Sequence, residues 1–301
     1  MAFIDDIKRI YNRGSMLMRL IFINVAVFIL LYLIVIVAIL FAADGNALVD
    51  WVKLPGNLSL LIRRPWTLVT YMFVHTNLWH ILFNMLWFYW LGRIFMEFFS
   101  PKQLAGLYIL GGWGGAALFL LAANLLPYFS GADHFLFGAS ASVMAIVVAT
   151  AIYSPDYKIG LLFFGEVSIK WVAIVTVAIS VLGLDAGNVG GDIAHIGGAL
   201  VGAWYALRIK RGRDITRPLN AAIDFIVGLF NGRSFKWSSR TIKRDRVKRG
   251  GAQSSSRGRT TGGVSEEELD AILKKIKVSG YDALTREERE KLFRVSKDKT
   301  S

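Results

Sequence analysis

Long stretches without a single charged residue constrain this chain more than any other feature of its sequence. A helix needs roughly 20 apolar residues to cross the hydrocarbon core of a bilayer. The pattern therefore predicts an all-α membrane protein with a bundle of six transmembrane helices, the fifth and sixth being short. The first stretch is too long, and lacks a suitable small-residue site, for a cleavable signal peptide. The six stretches free of Lys, Arg, Asp and Glu are 20–43, 65–92, 103–132, 134–155, 171–184 and 193–207.

The net charge of +13 is concentrated after the last apolar stretch. Residues 208–259 hold 15 Lys and Arg against three Asp, and Lys8, Arg9, Arg13 and Arg19 precede or begin the first stretch. Because positive flanks remain cytoplasmic, both termini are expected in the cytoplasm, which requires an even number of spans. Anionic lipid is the expected partner of the basic tail, and nucleic acid is not. The absence of cysteine excludes disulfides, thiolate metal sites and cysteine nucleophiles.

Composition divides the chain into four parts with different physical character. Within the basic part, the apolar segment 219–230 is expected to lie on the membrane surface. In the last part, Ser265 with Glu268 and Thr285 with Glu288 have the spacing of helix capping boxes. The parts are a cytoplasmic N-terminal segment (1–18), the six-span domain (19–208), a basic juxtamembrane segment with a flexible linker (209–264), and a C-terminal helical hairpin (265–301) broken at Gly280.

All four histidines of the chain lie inside the uncharged stretches, where ionisable residues are costly and commonly functional. His80 and Asn84 are four residues apart and share a helix face, so two hydrogen-bond donors could serve one developing oxyanion. Polar contact between helices is the alternative interpretation of that pair. His75 is expected to point elsewhere, and His134 is expected to have no direct catalytic role. The sixth stretch holds His195.

Metal chemistry is disfavoured by the surroundings of these histidines. The zinc motif HExxH is absent, because HILFN begins at His80 and has Asn84 in the place of the second histidine. No carboxylate is expected beside the histidines within the spans. The sequence therefore predicts neither a metal nor a cofactor.

Small residues favour close contact between the fourth and sixth helices. A hydroxyl from the fourth helix would then lie within hydrogen-bond reach of His195, which is the arrangement of a nucleophile and its base. A histidine that only stabilises the helix contact is the alternative. Ser140 and Ser142 are both candidates, but they lie about 200° apart on a helix, so only one can face His195. The small residues expected to support the contact are Gly138, Ala141, Gly198 and Gly202.

Three segments resemble the rhomboid family of intramembrane serine proteases, over about residues 60–208. They are PWTLVTYMFVHTNLWHILFNM, GAS at 138–140 and AHIGGALVG at 194–202. The resemblance implies Ser140 as nucleophile and His195 as general base, with no aspartate. It implies an oxyanion hole of His80, Asn84 and the Ser140 N–H. It further implies a serine endopeptidase that cleaves single-span membrane proteins within or near their transmembrane helix, with substrates entering between the second and fifth spans.

The sequence departs from the family in the spacing from Gly92 to Glu97, which is one residue longer, and at two single positions. Ala141 replaces the last glycine of Gly-x-Ser-Gly, and Thr67 stands where an arginine often follows the tryptophan. Because of Ala141, one alternative is that the protein is a catalytically weak or inactive rhomboid-like pseudoprotease, which binds transmembrane helices without cutting them. A transporter with histidines in a proton path is a weaker alternative. The C-terminal hairpin resembles a module attached to some bacterial rhomboids, and a cytoplasmic partner of unknown identity is expected for it. The lack of a recognisable transit peptide and the simple six-span plan favour a bacterial plasma (inner) membrane.

Overall fold

The computed structural model describes residues 15–131, 133–161, 165–183 and 188–230, together with 268, 271, 272, 275, 276 and 284–298. Predictions for most of the N-terminal segment, for the linker at 231–264, and for Ser265 and Gly280 lie outside the described residues. The chain forms two compact units, Met1–Lys236 and Trp237–Ser301. Each unit is described by itself below.

Helices occupy the positions of all six uncharged stretches in the first unit. Two of the described helices, α1 and α6, are long and apolar enough by themselves to cross a membrane; the count of six spans stays a prediction. In chain order the helices are α1 (Met16–Leu40), α2 (Gly45–Asp50), α3 (Leu58–Arg63), α4 (Thr67–Thr70), α5 (Leu78–Phe98), α6 (Pro101–Leu125), α7 (Ser140–Tyr153), α8 (Ile169–Leu182), α9 (Val189–Lys210), α10 (Arg217–Phe230) and, in the second unit, α11 (Arg286–Asp298).

Side-chain caps decide where the long helices begin. The Asn77 side chain accepts the His80 N–H at 2.7 Å and so begins α5 at Leu78. The uncharged stretch 65–92 is therefore not one continuous helix: α4 and a 3₁₀ turn at Tyr71–Phe73 precede the cap. A capping box of Ser100 and Gln103 begins α6.

Four short strands interrupt the all-helical pattern that the sequence predicts. Strands β1 (Leu54–Pro55) and β2 (Phe135–Leu136) pair antiparallel, and the Gly56 N–H donates to the His134 carbonyl at 2.8 Å. This ladder joins the segment between α2 and α3 to the loop that leads into α7. Strands β3 (Lys158–Leu161) and β4 (Gly165–Ser168) form a second antiparallel pair between α7 and α8.

Helix α7 lies at the centre of the first unit, and every residue from Ala141 to Ala151 is buried. Helix α9 packs on it through glycines. A methyl group at Gly198 would overlap the Ala141 carbonyl oxygen, and one at Gly202 would overlap that of Ala145. Such backbone contact between helices is possible only where side chains are absent or very small.

Helix α10 packs against the beginning of α6. The Lys102 ammonium donates to Asp224 at 2.5 Å, and the Gln103 amide donates to Asp214 at 3.1 Å. The other face of α10 leaves the side chains of Phe225 and Ile226 about half exposed. The helix is therefore amphipathic, with an apolar face that is partly exposed.

In the second unit, a capping box begins α11 as the sequence predicts. The Thr285 N–H donates to Glu288 at 2.8 Å, and the Glu288 N–H donates to the Thr285 hydroxyl at 3.3 Å. The Lys275 ammonium donates to the same carboxylate at 2.8 Å, which lowers the pKa of Glu288 below its ordinary value of 4.5. Ile272 and Leu284 are buried within this unit.

Candidate active site

Ser140 is the first residue of the buried helix α7. Gly138, two residues earlier, has a φ of +112°, which an L side chain rarely adopts. Its N–H donates to the Tyr71 carbonyl at 2.9 Å, so the 3₁₀ turn at Tyr71–Phe73 holds this bend. The first four N–H groups of a helix have no partner within it. Ser140 therefore combines a hydroxyl with a backbone donor at the positive end of α7.

The imidazole of His195 lies against the Ser140 hydroxyl. The distance from His195 Nε2 to Ser140 Oγ is 2.7 Å, which is a short hydrogen bond between α9 and α7. The glycine contacts at Gly198 and Gly202 allow this approach, because they bring the two helix backbones together just beyond the histidine. A hydroxyl and an imidazole at this distance can exchange a proton.

Two polar groups that the sequence analysis missed lie behind the imidazole. Ser180 Oγ on α8 is 3.0 Å from His195 Nδ1, and Asp192 Oδ1 on α9 is 3.7 Å from it. The expectation that no carboxylate accompanies the histidines is thus wrong, because α9 begins early enough to include Asp192. The three-residue spacing of Asp192 and His195 could have indicated that contact. No comparable signal marks Ser180, which lies in an apolar helix some 15 residues away.

His80 and Asn84 lie on α5, with His80 beside the Gly138 bend that precedes Ser140. A methyl group added at Gly138 would lie 3.0 Å from Cε1 and 3.1 Å from Nε2 of His80, and 3.8 Å from Ser140 Oγ. A side chain at Gly138 would therefore meet both the His80 ring and the Ser140 hydroxyl. The Asn84 amide donates to the His80 carbonyl at 3.0 Å, and its side chain lines the same cavity as Ser140.

The remaining two histidines lie outside the Ser140–His195 contact. The ring of His75 is buried edge-on against that of His80, with centroids 5.0 Å apart. Although its ring touches that of His80, His75 lines a separate cavity beside α1 and not the one beside Ser140, so its side chain lies away from the site as expected. His134 packs edge-on against Phe129, with centroids 4.9 Å apart.

Ala141, the departure from the family pattern, is buried between two helices. Its carbonyl faces Gly198 on α9, and its methyl group faces Gly115 on α6. A side chain at Gly115 would place its Cβ only 2.6 Å from that methyl. The extra carbon at position 141 therefore occupies space left by a glycine of the neighbouring helix. Ser142 is buried too, and its hydroxyl has no hydrogen-bond partner within the described part of the chain.

A cavity of about 280 Å³ opens beside Ser140 and His195. Its walls come from α5, α7, α8 and α9, and they are mostly apolar. The nucleophile candidate therefore faces a space suited to an apolar polypeptide segment. The side chains that line the cavity apart from the polar residues already described are Phe83, Trp87, Val143, Met144, Val147, Thr176 and Ile179.

Comparison with known proteins places this site in a family. Residues 63–212 match the rhomboid domain. The chain belongs to the rhomboid family. This match confirms the resemblance in the sequence, and the rhomboid domain contains every residue of the site described above. Residues 264–298 match a separate family of unknown function, DUF6576.

Individual relatives of this rhomboid come from a plant and from bacteria. RHOMBOID-like protein 12, mitochondrial, of Arabidopsis thaliana is 31% identical over 159 residues, 49% of this chain and 47% of that protein. Rhomboid protease GlpG of Yersinia pseudotuberculosis is 29% identical over 184 residues, 58% of this chain and 59% of that protein. GlpG of Yersinia pestis matches to the same extent. The chain thus spans about half to three fifths of the length of these relatives.

Proposed function

We propose that this rhomboid is an intramembrane serine endopeptidase with a dyad of Ser140 and His195. The observation that carries the proposal is the 2.7 Å hydrogen bond between Ser140 Oγ and His195 Nε2 at the edge of an apolar cavity. A hydroxyl is a weak nucleophile unless an adjacent base removes its proton. Membership of a family that includes bacterial proteins named rhomboid proteases supports the same activity.

The reaction follows from the roles of the two side chains. Nε2 of His195 takes the Ser140 proton while Oγ attacks the carbonyl carbon of the substrate. The resulting imidazolium gives that proton to the leaving amine, so the peptide bond breaks and an ester to Ser140 remains. A water molecule, deprotonated by the same imidazole, then hydrolyses the ester and releases the acid.

The negative charge on the tetrahedral intermediate requires donors that are already in place. His80 and Asn84 stand on the α5 side of Ser140, and the Ser140 N–H stands at the positive end of α7. We assign these three groups to the oxyanion hole. Because α5 carries two of them, the cap at Asn77 also sets where the oxyanion would lie.

The substrates are single-span membrane proteins cut within or near their transmembrane helix. The cavity beside Ser140 is lined by Phe83 and Trp87 on α5 and by Thr176 and Ile179 on α8, which supports entry between these helices. The hydrogen bonds of a spanning helix shield its peptide bonds, so the substrate must unwind locally inside the enzyme.

The protein would lie in a bacterial plasma (inner) membrane, with both termini in the cytoplasm. Cations of the segment that follows the last apolar stretch would meet anionic lipid headgroups. The half-exposed apolar side chains of α10 support a position in the membrane interface. The C-terminal module would bind a cytoplasmic partner whose identity the sequence does not give.

A cleavage assay with the chain in liposomes and a single-span test substrate checks the proposal. Ser140→Ala and His195→Ala should each abolish cleavage, and Ser142→Ala should leave it within about twofold. A fluorophosphonate should label one peptide, at Ser140. Cleavage by Ser140→Ala, or a label on Ser142, would refute the nucleophile assignment.

The pseudoprotease alternative predicts a different result from the same preparation. Substrate binding without cleavage, and without fluorophosphonate labelling, would favour it. Ala141 is the residue that motivates this alternative. The absence of a side chain at Gly115 argues against the pseudoprotease, because the Ala141 methyl group fits there without displacing Ser140.

A further inference from the structure

We propose that Ser180 is a positioning residue that fixes the tautomer of His195. Its hydroxyl accepts a hydrogen bond from His195 Nδ1–H, which leaves Nε2 unprotonated and able to take the Ser140 proton. The proposal rests on the proposed function and adds a third residue, from α8, to the dyad. A neutral imidazole carries one N–H, so fixing the proton on one nitrogen makes the other an acceptor.

The direction of the hydrogen bonds around Ser180 supports this assignment. Ser180 Oγ donates to the Thr176 carbonyl one turn earlier in α8, at 3.3 Å. That bond is the ordinary one for a serine in an apolar helix, and it uses the single hydroxyl proton. The lone pairs of Ser180 Oγ then remain for the nitrogen 3.0 Å away, and we assign His195 Nδ1–H as the donor of that contact.

The polar groups consequently form one chain with a single consistent direction. Ser140 O–H donates to His195 Nε2, His195 Nδ1–H donates to Ser180, and Ser180 O–H donates to Thr176. With the other tautomer, Nε2–H would donate to Ser140 Oγ and could not take its proton, and Nδ1 would have a donor only if the Ser180 hydroxyl turned away from Thr176. Ser180 is 5% exposed, so water does not readily replace its hydroxyl.

Asp192 is the competing partner for the same nitrogen. Its carboxylate oxygen lies 3.7 Å from Nδ1, beyond hydrogen-bond range, whereas the Ser180 hydroxyl lies within it. Asp192 also shares α9 with His195, so it cannot relate the imidazole to another helix. Ser180 can, because it stands on α8. The geometry therefore favours Ser180 as the orienting group.

Steady-state kinetics of the full chain in liposomes give the first test. Ser180→Ala should lower kcat roughly tenfold, the effect of one lost hydrogen bond, with KM within about twofold. Ser180→Thr retains the hydroxyl and should restore most of kcat. Ser142→Ala, which removes a buried hydroxyl without a described partner, is the matched control and should change neither constant.

The tautomer itself gives a second test that does not depend on cleavage. The chain has only four histidines, so ¹⁵N NMR signals of the His195 ring can be assigned with single histidine variants. The parent should show Nδ1 protonated and Nε2 unprotonated, and Ser180→Ala should shift the population towards the other tautomer.

Distinct results refute the two proposals. An unchanged tautomer and unchanged kcat in Ser180→Ala would overturn the role of Ser180. That role would also be overturned if the tautomer changed in Asp192→Asn but not in Ser180→Ala. A parent protein that fails to cleave would refute the proposed function instead, and its NMR spectrum would still decide the partner of Nδ1.

Discussion

Replacing Gly198 by alanine should separate the two residues of the proposed dyad. The added methyl group would overlap the Ala141 carbonyl oxygen, one residue after Ser140 in α7. Backbone carbonyls in the first turn of a buried helix cannot rotate away without breaking helical hydrogen bonds. Helix α9 would therefore have to move away from α7, and His195 would move with it.

The size of this movement follows from ordinary contact distances. A carbon and an oxygen normally stay about 3.3–3.6 Å apart, whereas the added carbon would lie 2.1 Å from the Ala141 oxygen, so the helices must separate by about 1.2–1.5 Å. The bond between His195 Nε2 and Ser140 Oγ is 2.7 Å, and the same shift would lengthen it beyond hydrogen-bond range. Loss of a general base typically lowers the rate by about 10²–10⁴-fold. Overpacking also costs about 1–3 kcal/mol of stability.

The assay compares Gly198→Ala with Gly228→Ala, a matched change in another helix. A methyl group at Gly228 on α10 meets no atom of the described residues within 4 Å, so this control should keep full activity. It should also be slightly more stable, because alanine favours a helix over glycine by about 1 kcal/mol. Cleavage rate, fluorophosphonate labelling of Ser140 and thermal unfolding are measured on each protein.

Labelling distinguishes a displaced base from a protein that has not folded. We expect Gly198→Ala to unfold cooperatively, at a lower temperature, and to react with fluorophosphonate at least a hundredfold more slowly than the parent. The reasoning fails if Gly198→Ala unfolds like the parent and cleaves within about twofold of its rate. Helix α9 would then tolerate a side chain where the backbone contact requires none.

Three further predictions concern the oxyanion hole, the family departure and the C-terminal unit. His80→Ala and Asn84→Ala should each lower kcat by about 10²–10³-fold with little change in KM. A rise in KM as large as the fall in kcat would contradict the oxyanion-hole role. Ala141→Gly should change kcat/KM by less than about threefold and destabilise the fold by about 1–2 kcal/mol in thermal unfolding, from the lost methyl and the added glycine. Because the pKa of Glu288 is lowered on folding, its contact with Lys275 stabilises the folded unit above pH 4.5 and weakens as the pH falls through the lowered pKa. Lys275→Met should therefore raise the Glu288 titration midpoint in an NMR titration of the full chain, and an unmoved midpoint would contradict the assigned cause.

Much of the helical architecture could be predicted from the sequence, because uncharged apolar runs have few alternatives to forming helices in a membrane. The approach of His195 to Ser140 could be anticipated as well, since glycines four residues apart mark a face that another backbone can reach. The start of α5 could not be predicted in this way. Its apolar run continues through the residues before Asn77, and only the side-chain cap ends the irregular segment.

The groups behind His195 were harder to predict for a different reason. Helical periodicity tells which residues share a face, but it does not tell which residue of another helix stands opposite. Ser180 resembles any serine that bonds to its own helix, and its second contact exists only once α8 and α9 are packed. Asp192 lies just before the uncharged stretch 193–207, and it shares a helix with His195 because α9 begins at Val189.

Gly115 connects the departure at Ala141 with the position of the base. A side chain at Gly115 would meet the Ala141 methyl group at 2.6 Å on α7 and the Ala194 carbonyl oxygen at 2.9 Å on α9. One missing side chain on α6 therefore provides space for the extra methyl beside Ser140 and for the backbone just before His195. The methyl group at position 141 occupies the space beside Gly115 of α6, whereas the Ala141 carbonyl makes the contact with Gly198 of α9, so the methyl need not separate α7 from α9. This is why a sequence that departs from Gly-x-Ser-Gly can still hold its serine and histidine 2.7 Å apart.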